Sequence, residues 1–170
     1  MTEEKTTGLQ SRGRYFEEFE VGDEVISPGR TVTEADIVAF AALTGDYNPL
    51  HCDAEYAKDT VFGERIAHGL LGLSIASGLI DRLGFITGTV EAFMGLDWKF
   101  RGPIKIGDTI HVEARVTRKK EMRRLGGGLI ILDVALVNQR NETVQKGQWT
   151  ALIKSKPLPF SQDSTGFRQA

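Results

Sequence analysis

The chain changes its hydrophobic rhythm part-way along. Up to about residue 83 the apolar positions recur at helical spacing, and beyond it they alternate or run in short blocks. Val25 to Val32 reads as an opening strand. Thr33 with Asp36 three residues on is the signature of an N-cap with an acidic residue at N3. Ile37, Phe40 and Ala41 follow at i, i+3 and i+4, Leu43 adds to the same helix, and Gly45 stops it. The stretch Asp46-Tyr47-Asn48-Pro49-Leu50-His51 reads as a loop, because Pro49 prevents a continuous helix through it. A short helix is predicted around Ala54–Lys58. From Ala67 to Leu83 the chain is apolar nearly all round, with Leu70, Leu71, Leu73, Ile75, Ala76, Leu79 and Ile80 among small residues, which predicts a buried helix.

Four strands are then predicted. Val90–Phe100 carries Phe93, Met94, Leu96, Trp98 and Phe100. Thr109–Thr117 alternates strictly, with Ile110, Val112, Ala114 and Val116 on one face and His111, Glu113, Arg115 and Thr117 on the other. Gly127–Val137 and Thr143–Ile153 complete the set, and Gly102-Pro103, Gly107-Asp108 and the segment 138–142 supply turns. The pattern is α+β: one buried helix wrapped by a curved antiparallel sheet.

At 170 residues this is one domain with enough chain to bury a sizeable core. The expected division is a polar, disordered lead over 1–14, a folded domain over 15–154 and a tail over 155–170. No apolar h-region opens the chain and no run is long enough to span a membrane, so a cytoplasmic location is expected. The net charge of −2 gives no basic footprint for nucleic acid. The single cysteine, Cys52, excludes an intrachain disulfide and a multi-thiolate zinc site, and three histidines are too few for a histidine-rich metal centre. Cys52 itself reads as a small buried residue. Gly126-Gly127-Gly128 lacks the Gly-Lys-Ser/Thr of a phosphate loop.

Chemistry is concentrated in two segments. Thr44 to His51 sets a carboxylate, Asp46, and an imidazole, His51, five residues apart on a stiffened connection. Such a pair can hold one water and share its proton, and Asn48 can add an orienting hydrogen bond. Ala67-His68-Gly69 opens the buried helix, where the first amides lack internal partners and suit an anionic oxygen.

The run Thr44-Gly45-Asp46-Tyr47-Asn48-Pro49-Leu50-His51, then Phe62-Gly63 and Ile66-Ala67-His68-Gly69, resembles the hydratase motif of the MaoC-like dehydratases, a family that includes the (R)-specific enoyl-CoA hydratases. Tyr15 to Asp23 resembles the usual opening of such domains, and Phe100 to Thr109 resembles the strand–turn–strand after their core helix. The resemblance covers about Tyr15 to Lys154. It implies a single hot-dog fold, a long helix wrapped by a sheet; a double hot-dog would need nearly twice this length. It implies that Asp46 and His51 are the catalytic pair, that the Gly69 amide polarises a thioester carbonyl, and that Asn48 and Ser77 support the pair, with Ser74 a rival for Ser77's role. The implied reaction is reversible hydration of a trans-2-enoyl-CoA to an (R)-3-hydroxyacyl-CoA without cofactor or metal, in a homodimer. Alternatives are a carrier-protein-linked 3-hydroxyacyl dehydratase, a hot-dog acyl-CoA thioesterase and a non-catalytic acyl-binding subunit of a heteromeric dehydratase. His68 is expected to cap or pack at the helix start, His111 to be solvated, and Trp98 and Phe100 to be core or interface aromatics. Arg118, Lys119, Lys120, Arg123 and Arg124 are expected to form a solvated hairpin end, with contact to CoA phosphates as the alternative. The acyl-binding residues, and with them acyl length and branching, are not legible in the sequence.

Overall fold

The computed structural model describes residues 13–157. The expected lead and tail lie outside them except at their inner ends, and those ends are tied down. The Gly13 and Arg14 amides donate to the Thr87 and Phe85 carbonyls, and the Ser155 amide donates to the Gly126 carbonyl.

The chain forms β1 (Glu24–Ile26), β2 (Arg30–Thr31), α1 (Glu34–Thr44), α2 (Pro49–Cys52), α3 (Ala54–Lys58), α4 (Gly69–Asp81), β3 (Val90–Phe100), β4 (Thr109–Met122), β5 (Gly127–Asn138) and β6 (Thr143–Lys154), with single 3₁₀ turns at Phe16–Glu18 and Arg123–Leu125. The strands make one antiparallel sheet in the order β1-β4-β5-β6-β3, with β2 also on β4. Val25 to Val32 is thus two short strands, interrupted at Ser27-Pro28-Gly29.

The alternation in β4 has the expected consequence. Ile110, Val112, Ala114 and Val116 are buried, and the register sets the last three opposite Leu136, Val134 and Leu132 of β5. This face receives Leu71, Ile75, Ala76, Leu79 and Ile80 of α4. The helix α1 is capped as predicted: the Thr33 hydroxyl accepts from the Asp36 amide, the Asp36 carboxylate accepts from the Thr33 amide, and Gly45 ends it at φ 76°.

Three further expectations about the fold differ from the structure. Pro49 does not leave a loop down to His51. It occupies the first turn of α2, where a missing N–H costs nothing, so His51 is helical. The helix α4 is not buried all round: Leu70 is 60% exposed, and Ser74, Ser77 and Gly78 share its open side. That side borders a cleft of about 630 Å³ against β3, whose Phe93 and Leu96 also stand open. Cys52 ends α2 at the surface and is exposed, not buried.

Candidate active site

The segment from Thr44 to Asn48 is wound by its own short polar groups. The Thr44 hydroxyl donates to the Phe40 carbonyl and accepts from the Asp46 amide. The Asp46 carboxylate accepts from the Asn48 amide at 3.3 Å. The Asn48 side chain accepts from the Leu50 amide at 3.0 Å, which makes it the N-cap of α2. Asn48 therefore touches both ends of the pair, the Asp46 carboxylate through its amide and the helix that carries His51 through its side chain.

His51 is oriented from the facing chain. Its Nδ1 lies 2.8 Å from the Ile66 carbonyl. A carbonyl only accepts, so Nδ1 carries the proton, and in the neutral ring the lone pair sits on Nε2. The Ile66–Ala67 segment is held in turn. The Ala67 amide donates to the Ile104 carbonyl, and Ile66 bridges to Lys105. The turn around Lys105 is fixed by buried Asp108, which accepts from the Lys105 amide, Gln139 Nε2 and Arg140 Nη1. Burial pushes the Asp108 carboxyl up, but these donors and the Arg140 charge outweigh it and hold it below the usual carboxylate range.

His68 does more than pack. It occupies the N-cap position of α4 without a side-chain cap bond. Its Nε2–H donates instead to the Asp46 carbonyl at 2.9 Å, and its ring lies 3.8 Å from that of His51. Asp46, His51 and His68 each bring one potential metal-ligand atom within 4.8 Å of the others. Each ring already gives one nitrogen to a backbone carbonyl, His51 Nδ1 to Ile66 and His68 Nε2 to Asp46, which leaves the His51 Nε2 and His68 Nδ1 lone pairs beside the Asp46 carboxylate.

Gly69 follows as the first residue of α4, so its amide has no acceptor within the helix. It is a glycine for a steric reason: a Cβ there would lie 2.8 Å from Phe100 Cε1. Its carbonyl accepts from Gln145 Nε2 at 3.0 Å, and Gln145 Oε1 accepts from Trp98 Nε1 at 3.0 Å. Gln145 is 2% exposed. It anchors the start of α4 to the sheet, and nothing in the sequence pattern marks it; the only trace is Gly72, where a Cβ would lie 2.4 Å from Gln145 Nε2.

Asp46, Asn48, His51 and Gly69 are thus gathered at one end of α4. Ser77 stands about 12 Å further along the helix axis, at 1.5 Å per residue. It lines the cleft against β3, as does Ser74, whose hydroxyl donates to the Leu70 carbonyl. The basic turn lies at the opposite end of the sheet. Met122 pairs with Gly127 and Gly127 with Lys154, whereas Gln145 and Phe100 pair at the site's end. Only Arg123 and Arg124 lie in that turn; Arg118, Lys119 and Lys120 belong to β4, which runs past the expected Thr117, and half-buried Lys119 donates to the Phe19 carbonyl and sits over the Phe16 ring. His111 is half-buried, with Nε2 3.3 Å from Glu113.

Residues 18–130 match the family model of the MaoC like domain. Protein MaoC of Klebsiella aerogenes is 44% identical over 107 residues, which are 62% of this chain and 31% of that protein. The chain thus spans about a third of that relative's length. An (R)-specific enoyl-CoA hydratase of Rhodospirillum rubrum is 37% identical over 61% of this chain and 69% of its own. A 3-hydroxybutyryl-CoA dehydratase of Methylorubrum extorquens is 35% identical over 65% and 68%. A solved MaoC-like dehydratase from Rhodospirillum rubrum superposes with a TM-score of 0.78 at 28% identity, covering 86% of this chain and all of that one. A double hot-dog protein of Mycobacterium tuberculosis shares the fold alone, with a TM-score of 0.74 at 21% identity over 85% of this chain and 45% of that one. With a helix wrapped by one antiparallel sheet and a family match over more than half its length, the chain belongs to the MaoC-like dehydratases and has their hot-dog fold.

Proposed function

We propose that this protein is a hydro-lyase that reversibly hydrates a trans-2-enoyl-CoA to the (R)-3-hydroxyacyl-CoA. The observation that carries the reading is the union, at the start of α4, of the Asp46 carboxylate, the Nε2 lone pair of His51 and the Gly69 amide. A base, an acid and an oxyanion donor are what conjugate addition of water needs. The thioester carbonyl accepts from the Gly69 N–H, which draws electron density from the β-carbon. Asp46 and His51 hold a water. His51 Nε2 takes a proton from it as its oxygen bonds to the β-carbon, and the alkene electron pair moves onto the thioester oxygen as an enolate. The proton now on His51 passes to the α-carbon with Asp46 helping to deliver it, the enolate collapses to the 3-hydroxyacyl thioester, and His51 is again neutral. Oxidation states balance and every proton has a carrier, so the reaction calls on no metal or redox cofactor.

Asn48 supports the pair through its cap of α2. Ser77, in the cleft beside α4, is assigned no contact with Asp46 within one chain. The working unit is a homodimer acting on a soluble thioester in the cytoplasm, and residues 15–154 form its single hot-dog unit. Absorbance of the conjugated thioester of crotonyl-CoA tests the reaction. Asp46→Asn and His51→Ala are each expected to lose about 10²-fold or more in kcat, the size of a lost acid–base group. Wild-type rates in either folded variant would overturn the assignment.

A further inference from the structure

His68 is a third titratable group at the site, and the addition of water as written does not use it. It is 2% exposed. Its Nε2–H is committed to the Asp46 carbonyl, across 22 residues of sequence. Its ring lies against His51 at 3.8 Å and against Phe40 at 5.0 Å, and its Nδ1 is buried with no hydrogen-bond partner among the described residues. A buried polar atom left unsatisfied is costly, and Leu, Met or Phe would fill the same space without it. What an apolar residue would not supply is the bond to Asp46.

We propose that His68 is a positioning residue for both members of the pair: its N–H fixes the backbone of Asp46, and its ring face sets the plane of His51. The inference rests on the hydratase reading. Among the described residues the His51 ring makes one hydrogen bond, from Nδ1–H to the Ile66 carbonyl, and that bond does not fix the tilt of the ring about it. The flat face of His68 removes that freedom. The carboxylate of Asp46 is held mainly through its own backbone, because the amide it accepts from lies two residues away at 3.3 Å. Pinning the Asp46 carbonyl therefore locates the carboxylate. One side chain thus couples the spacing of acid and base, and misplacement of such groups by about 1 Å costs on the order of 10²-fold in rate.

Two variants separate the contributions. His68→Phe keeps a flat ring against His51 and removes the donor to Asp46. His68→Gln keeps a donor and removes the ring. Each is expected to lower kcat by about 10- to 100-fold with little change in KM and with a cooperative thermal transition retained. Wild-type kcat in both would overturn the proposal, and so would a loss confined to KM. If the wild-type protein hydrates no enoyl thioester, the hydratase reading fails by itself, and ¹⁵N-edited imidazole spectra then decide the role of His68. The wild-type protein should show His51 as a single Nδ1–H tautomer. Mixed tautomers in His68→Gln support the proposal, and unchanged His51 signals in both variants overturn it. Should His68→Gln fail to fold, His68→Leu, which also removes the ring, takes its place in the spectra, and His68→Phe still tests the donor to Asp46 through kcat.

Discussion

At the level of single residues, two glycines of α4 meet the sheet closely, and the two differ in what a side chain there would displace. A methyl group on Gly69 meets the Phe100 ring, which is 54% exposed and free to swing outward. Gly69→Ala should therefore melt within a few degrees of the wild-type protein yet hydrate crotonyl-CoA more slowly, because the displaced ring borders the oxyanion amide. A methyl on Gly72 meets Gln145 Nε2 and Ile104 Cδ1, both in the interior. Neither can leave, so Gly72→Ala should cost about 1–3 kcal/mol in urea unfolding, as overpacking does. Gln145→Leu removes the acceptor of the half-buried Trp98 N–H and the donor to Gly69. It should cost about 1–3 kcal/mol and lower kcat by loosening the start of α4. Unchanged stability in Gln145→Leu would show that the bridge anchors nothing.

At the level of elements, legibility followed the range of the interaction. The strands β4, β5 and β6 were readable because alternation is local, and every second side chain records which face is buried. The cap of α1 was readable because Thr33 and Asp36 lie within one turn. Pro49 misled because proline breaks a helix interior and starts a helix at N1, and only the Asn48 cap tells the two cases apart. The pair Asp46 and His51 was legible as a motif, whereas His68 and Gln145 were not. Their partners are a carbonyl 22 residues away and a carbonyl 76 residues away, and backbone oxygens carry no sequence signal. The open side of α4 was hidden for a related reason: its apolar residues look alike whether the facing surface belongs to this chain or to another. Asn48→Ala tests the cap. It should cost about 1 kcal/mol, and because α2 carries His51, kcat should fall while KM holds. Loss of stability with unchanged kcat would separate the cap from the chemistry.

On the scale of the molecule, two features bear on folding and assembly. Asp108 ties the turn at Lys105 to Gln139 and Arg140, and its folded pKa lies below that of the unfolded chain. Its stabilisation is therefore complete above about pH 4, near the unfolded carboxylate value, and is lost as pH falls through the lower folded value. Melting temperature should drop on acidification below that point, and Asp108→Asn should flatten the dependence while lowering stability at neutral pH. Assembly follows from β3. Among the described residues it is one edge of the sheet and pairs only with β6, and it carries Phe93, Met94 and Leu96 at 55%, 52% and 44% exposure beside the open face of α4. An edge strand with unpaired backbone groups and apolar side chains invites another strand. A second copy laid antiparallel along β3 would pair that edge, continue the sheet and cover both α4 clefts about one two-fold axis, a closed arrangement that leaves no further edge of this kind. Light scattering at micromolar concentration should give twice the mass of the 18.7-kDa chain. Phe93→Asp, which sets two like charges near that axis, should shift the protein toward monomer. A monomeric wild-type protein would mean that β3 stays open in solution.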